Sequence, residues 1–205
     1  MTNSKELYVK AWSLHNCGRL PQKSWYEFYL PGTNYRMTEF QAAILLVQME
    51  RFDEQTKRRM ENARYLSGKL SKIDGVTPLK EDERITRHAY HLYIFKINPE
   101  AFGGASKFVI AKALQAEGIP ASVGYSKPLY KEPCLEHFKK CPLSCPYYGK
   151  SVDYSSVKTP VAERACYHEG LWLPQYALLG SRDDMDDIVS AMEKVRENVE
   201  ELEGD

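Results

Sequence analysis

The feature that most constrains this chain is a helical run from about Met37 to about Ile73. Thr38 and Gln41 form a Thr-x-x-Gln capping box, a pairing of side chains with first-turn N–H groups that predicts a helix start at Met37 or Thr38. Apolar residues recur at Met37, Phe40, Ile44 and Val47, then after a slip in phase at Met60, Ala63, Leu66, Leu70 and Ile73. Spacing of three and four residues is that of one helix face. The middle, Glu50 to Asn62, is heavily charged, which predicts exposure there or a bend between two packed ends. Just ahead of the cap stand an amide, Asn34, and a guanidinium, Arg36, beside the N–H groups that a first helical turn leaves without acceptors. Two readings are open: Arg36 pairs with a neighbouring carboxylate, or the helix start and Arg36 together hold an anion.

The chain has 205 residues, enough for one large domain or two small ones. Its 28 basic and 28 acidic side chains cancel, so no electrostatic footprint for nucleic acid or a membrane surface is visible. No apolar run approaches the roughly 18 residues of a membrane span, and Met-Thr-Asn-Ser-Lys-Glu lacks the pattern of a signal peptide. Five cysteines, an odd number, fit a reducing compartment, and a cytoplasmic location is expected. There is no internal repeat.

In chain order, Ser4 to Leu14 reads as a short helix with Leu7, Ala11 and Leu14 on one face and Gly18 as its stop. Arg19 to Gly32 is irregular, broken by Pro21 and Pro31. After the long helix, Val76 to Leu79 is an edge strand because Pro78 cannot donate to a ladder. Ala89 to Ile97, aromatic and β-branched, is the strongest strand, ended by Pro99. Gly103-Gly104 is a turn, Ser106 caps a helix that Gly118 stops, and Ala121 to Tyr125 is a brief strand. Residues 126–158 carry four prolines and no regular pattern. Pro160 to His168 reads as one helix and Leu171 to Leu173 as a strand ended by Pro174. A final helix is capped by Ser181 and Asp184 and runs on Met185, Ile188, Met192, Val195, Val199 and Leu202. The fold class is α/β (α+β): a long helix, then a small mostly antiparallel sheet with helices over one face.

Few constellations carry chemistry on their own. Cys134, His137, Cys141 and Cys145 are four zinc-capable side chains, but without the paired knuckles of structural zinc sites, and metal-free loop cysteines are the preferred reading. There is no Gly-rich phosphate loop and no hydrolase, zincin or kinase motif. His91, mid-strand among apolar neighbours, is either a core or interface histidine or a substrate contact.

Several landmarks together resemble one family. Gly32-Thr33-Asn34-Tyr35-Arg36-Met37-Thr38-Glu39-Phe40-Gln41-Ala42-Ala43 is similar to the opening signature of the DegT/DnrJ/EryC1/StrS sugar aminotransferases. Gln48 to Asp53 and Arg58-Arg59-x-x-Asn62-Ala63 continue it, followed in the same order by His91-Leu92-Tyr93, Gly124-Tyr125-x-x-Pro128-Leu129-Tyr130 and Leu173-Pro174. The segment Trp172 to Gly180 looks most like the branch that acts on keto-inositols with glutamine.

The resemblance implies a fold-type I enzyme using pyridoxal 5′-phosphate, a homodimer that moves an amino group from glutamate or glutamine to a keto-sugar or keto-cyclitol. In the family, a preceding half carries the cofactor-binding sheet, the acidic partner of the pyridine nitrogen and the Schiff-base lysine. Residues 1–18 resemble the segment shortly after that lysine, and Lys5, Lys10 and Lys23 do not match its motif, so no catalytic residue is assigned. The chain is therefore expected to be a C-terminal part that is inactive and without cofactor unless joined by the N-terminal half. Residues 1–36 would be the end of the large domain, 37–73 a connecting helix and 74–205 a small α/β domain. Asn34 and Arg36 match residues that reach across the dimer interface to the partner's cofactor phosphate or the anionic group of donor or substrate. His91 and Tyr125 match positions near the substrate. Relatives of the same family that act as sugar dehydratases, or a non-catalytic binding or regulatory module, are the alternatives.

Overall fold

The computed structural model describes residues 2–24, 26–132 and 154–202. It divides into two compact units, Met1–Asp53 and Glu54–Asp205.

In the first unit, helix α1 (Lys5–His15) starts where the Ser4 hydroxyl accepts the Leu7 N–H at 3.3 Å. Leu7 and Leu14, on the expected packing face, are exposed, and Ser13 is the buried side chain. The chain turns at Gly18 and comes back alongside the end of α1. A Cβ on Gly18 would lie 1.7 Å from the Leu30 carbonyl oxygen, and one on Gly32 would lie 2.3 Å from the Gly18 nitrogen, so this crossing needs both glycines. The returning strand is tied to α1 by main-chain bonds from Thr33 N–H to Leu14 O (2.9 Å) and Tyr35 N–H to His15 O (2.8 Å).

Helix α2 (Glu39–Leu70) runs for 32 residues. Its start carries the expected capping box: Thr38 N–H donates to Gln41 Oε1 at 2.9 Å and Gln41 N–H to Thr38 Oγ1 at 3.3 Å.

The second unit is built on an antiparallel sheet in the order β1 (Val76–Pro78), β2 (Leu92–Ile97), β3 (Gly170–Pro174). Pro78 sits on the edge strand, as its missing N–H requires. Along β2 the side chains alternate, with Tyr93, Phe95 and Ile97 buried. Against that face pack Ala63, Leu66 and Leu70 of α2, Ile110, Ala111 and Leu114 of α3 (Lys107–Ala116), and Met185, Ile188, Met192 and Val195 of α5 (Arg182–Glu197). Helix α5 begins with the predicted Ser181–Asp184 capping box.

Four expectations about elements change. The final helix stops at Glu197, where Asn198 caps it, and Val199 lies in a 3₁₀ turn, Val199–Glu201. The strand begins at Leu92, because Tyr90 holds a left-handed φ of 46° that a ladder cannot continue. Residues 121–125 form a single bridge, Ser122 to Trp172, because Gly124 turns left-handed immediately after it. The helix predicted over Pro160–His168 is α4 (Pro160–Arg164) followed by a π turn, Ala165–Glu169.

Polar side chains also fix α2 to this unit. Asn62 Nδ2 donates to the carbonyls of Leu178 and Gly180, both at 2.9 Å. The Arg59 guanidinium, which is buried, reaches Gln175 Oε1 and Thr56 Oγ1, each at 3.0 Å. The motif Arg58-Arg59-x-x-Asn62 thus orients the turn that leads into α5.

Candidate functional site

The four expected site residues fall two in each unit. In the first, Asn34 lies on the returning strand, bridged to Asn16 at the end of α1. The bonds from Thr33 and Tyr35 to α1 hold the backbone on either side of it. Asn34 Oδ1 accepts from Arg36 Nε at 2.9 Å, which sets the plane of the guanidinium. The pair lies just before the first turn of α2, where capping occupies the N–H groups of Thr38 and Gln41 and helix geometry leaves Glu39 and Phe40 without intrahelical acceptors. An open depression of about 580 Å³ borders Asn34, Arg36, Gln41 and Ile44. A planar cation, an amide and outward N–H groups at a helix start are a donor set for an oxyanion such as a phosphate or carboxylate.

In the second unit, His91 is not the mid-strand histidine expected. It is exposed, on a bend one residue before β2. The cause is the turn behind it. Tyr90 N–H donates to His88 Nδ1 at 2.9 Å, and the two rings stack at 3.9 Å, which locks Tyr90 at its positive φ. A tyrosine held there stores strain, and such strain is commonest at functional sites. With Nδ1 accepting, the neutral His88 ring carries its proton on Nε2. Burial pushes the Tyr90 hydroxyl above its ordinary value, while the Arg64 guanidinium bonded to Glu81 holds that carboxyl below its usual range.

Tyr125 presents an exposed ring edge-on to Trp172, centroids 5.6 Å apart and planes at 85°. Gly124 makes that approach possible: a Cβ there would meet the Trp172 ring at 2.9 Å. Trp172 pairs with Ile94 and Leu92 with Pro174, so His91 and Tyr125 are both attached to the β2–β3 pair.

A family model described as the DegT/DnrJ/EryC1/StrS aminotransferase family matches residues 1–193. The chain belongs to this family. All four expected residues lie inside the match. The chain is 34% identical over 206 residues to a Streptoalloteichus tenebrarius protein provisionally named an L-glutamine:3-amino-2,3-dideoxy-scyllo-inosose aminotransferase, covering 98% of this chain and 50% of that protein. It is 34% identical over 181 residues to the L-glutamine:2-deoxy-scyllo-inosose aminotransferase of Micromonospora echinospora, covering 85% and 41%. Among solved structures, a DegT/DnrJ/EryC1/StrS aminotransferase from Brucella abortus superposes with a TM-score of 0.70 at 25% identity, over 95% of this chain and 44% of that one. A 3-amino-5-hydroxybenzoic acid synthase shares the fold, with a TM-score of 0.72 at 24% identity over 94% and 47%. The chain spans about half the length of the relatives it matches.

Against this family frame, Cys134, His137, Cys141 and Cys145 lie outside the described residues. Among the described residues no group of three or more His, Cys, Asp or Glu is arranged to hold a metal. Among them also no helix is long and apolar enough to cross a membrane. Sequence reasoning overlooked His88, Tyr90 and Lys107. Lys107 had a signal: a cation in the first turn of a capped helix opposes the helix dipole and calls for another reason to be there.

Proposed function

We propose that this chain is the part of a pyridoxal-phosphate-dependent aminotransferase that lies after the Schiff-base lysine, and that the whole enzyme aminates a keto-cyclitol or keto-sugar with glutamine as donor. The observation that carries the reading is the family match running through Asn34 and Arg36. Likeness to proteins named for glutamine and scyllo-inosose derivatives supports the donor and substrate class. When bound, pyridoxal phosphate supplies the electron sink on which the amino group is exchanged. The donor set at the start of α2 fits its phosphate or a substrate carboxylate: Arg36 contributes the charge, and Asn34, by accepting from Arg36 Nε, keeps the guanidinium oriented. The exposed ring of His91 can donate to or accept from a substrate hydroxyl, and the Tyr125 hydroxyl can do the same from the opposite strand's side chain support, Trp172. The lysine-bearing half of the enzyme and a homodimeric partner complete this reading.

The test is complementation. Combined with the lysine-bearing half of a family member, the chain is expected to restore the cofactor's absorbance band and amino transfer from L-glutamine to 2-deoxy-scyllo-inosose. Two folded halves that show neither would contradict the proposal.

A further inference from the structure

Lys107, the first residue of α3, is 1% exposed. Its ammonium donates to three main-chain carbonyls: Val123 O at 2.8 Å, Cys166 O at 2.5 Å and Gly170 O at 3.5 Å. These acceptors match the three N–H bonds an ammonium has. None is a carboxylate. Burial pushes the group below the ordinary lysine range. A buried cation held by carbonyl dipoles and the Phe108 ring face, 5.5 Å away, is a costly way to fill space, and an apolar side chain of the same length would fill it without that cost. Its value is directional: it joins the stretch before Tyr125 to the continuous stretch from Cys166 to Gly170 at one point.

One of those segments ends at the substrate-facing tyrosine. Ser122 is bonded to Trp172 through both N–H groups, each at 2.9 Å, and Lys107 then holds Val123 O. Beyond Val123 the chain has a left-handed Gly124, whose N–H reaches Ser122 Oγ at 3.5 Å, and then Tyr125 resting on the Trp172 ring. The other two acceptors belong to the π turn and to the first residue of β3, the strand that carries Trp172. The lysine therefore ties the backbone before Tyr125 to the base of the strand on which Tyr125 rests.

We propose that Lys107 is a positioning residue: by clamping the Val123, Cys166 and Gly170 carbonyls it fixes the Tyr125 hydroxyl where a keto-polyol substrate is met. The inference rests on the reading of Tyr125 given above, and its test separates the two. With the two rings 5.6 Å apart, the Tyr125 ring protons of the chain itself should be shifted by the Trp172 ring current. Lys107→Met, which keeps the length and removes the charge, should bring those signals close to free-tyrosine positions while the amide signals of Tyr93 to Ile97 stay. An unmoved Tyr125 signal overturns the clamp. If Lys107→Met does not fold, a ¹⁵N-lysine spectrum of the unaltered chain decides: a slowly exchanging ammonium signal supports the clamp, and a rapidly exchanging one overturns it. In the complemented enzyme, KM for 2-deoxy-scyllo-inosose should rise about tenfold with kcat little changed, the scale of one displaced polar contact. The same rise should be absent when Lys107→Met is added to Tyr125→Phe; additive losses would overturn the route through Tyr125. A moved ring signal with unchanged KM would leave the clamp standing and remove Tyr125 from the substrate site.

Discussion

The two ends of helix α2 contrast in a way that runs against their composition. Its first part is almost wholly apolar between Ala42 and Val47, yet Phe40 is 86% exposed, Leu46 65% and Met49 70%. Its later part, from Glu54 on, is dense in Lys, Arg and Glu, yet Ala63, Leu66 and Leu70 are fully buried there and Thr56, Arg59 and Asn62 are buried beside them. The later part is held by phase: its few apolar residues fall on one face, and the two terminal guanidinium nitrogens of Arg59 and the Asn62 amide meet acceptors. The first part has apolar side chains all round, the pattern of a helix meant to be covered on several sides. What separates them is packing partners rather than hydrophobicity.

The sharpest way to break this contrast is to delete matching side chains at the two ends. Leu66→Ala, in the packed part, should cost about 2–5 kcal/mol of unfolding free energy in a denaturant titration. A smaller effect appears at high pH. Burial pushes the Tyr93 hydroxyl up to about 12, and it shares a 2.8 Å hydrogen bond with Ser67 of α2. The folded chain keeps this proton while an unfolded tyrosine loses it near pH 10, so stability falls between about pH 10 and 12, by roughly 2–3 kcal/mol at the upper end. Tyr93→Phe should therefore be less stable than the parent at neutral pH, with the gap narrowing above pH 10; a constant gap in melting temperature across that range would contradict it. Asn62→Ala leaves the Leu178 and Gly180 carbonyls without their donor and should cost about 1–3 kcal/mol. At the apolar end, Leu46→Ser should change unfolding free energy by no more than about 0.5 kcal/mol. It should instead lower self-association, seen as a fall in mean mass by light scattering. A parent chain that stays monomeric at high concentration would remove the argument that this face seeks cover.

Much of this was legible because helix caps are local chemistry. Thr38–Gln41, Ser106 and Ser181–Asp184 each mark a helix start to within a residue or two, and Pro78 marks an edge. What escaped depends on partners distant in sequence or on unusual dihedral angles. Nothing in Ala89-Tyr90-His91 announces that Tyr90 will turn left-handed onto His88, so the sequence pattern extends the strand three residues too far. Gly124 is the visible sign of a break in 121–125, yet its reason, the Trp172 ring, comes from a strand nearly fifty residues later. The switch to a π turn at Ala165 likewise has no local mark. At the site, helix-start physics allowed an anion at Arg36 but favoured a carboxylate partner, and the anion reading rests on the resemblance of Asn34-x-Arg36 to the family signature.

The start of α2 is proposed to hold an anionic group of cofactor or substrate through Arg36, oriented by Asn34. The direct measurement is a spectroscopic titration of pyridoxal phosphate into the complemented enzyme, with amino transfer from L-glutamine followed in parallel, for the parent, Asn34→Ala and Arg36→Ala. Binding of cofactor or donor is expected to weaken about ten- to a hundredfold in Arg36→Ala, the loss of one charge-assisted contact, and by less in Asn34→Ala. Unchanged binding and unchanged kinetics in Arg36→Ala would contradict it.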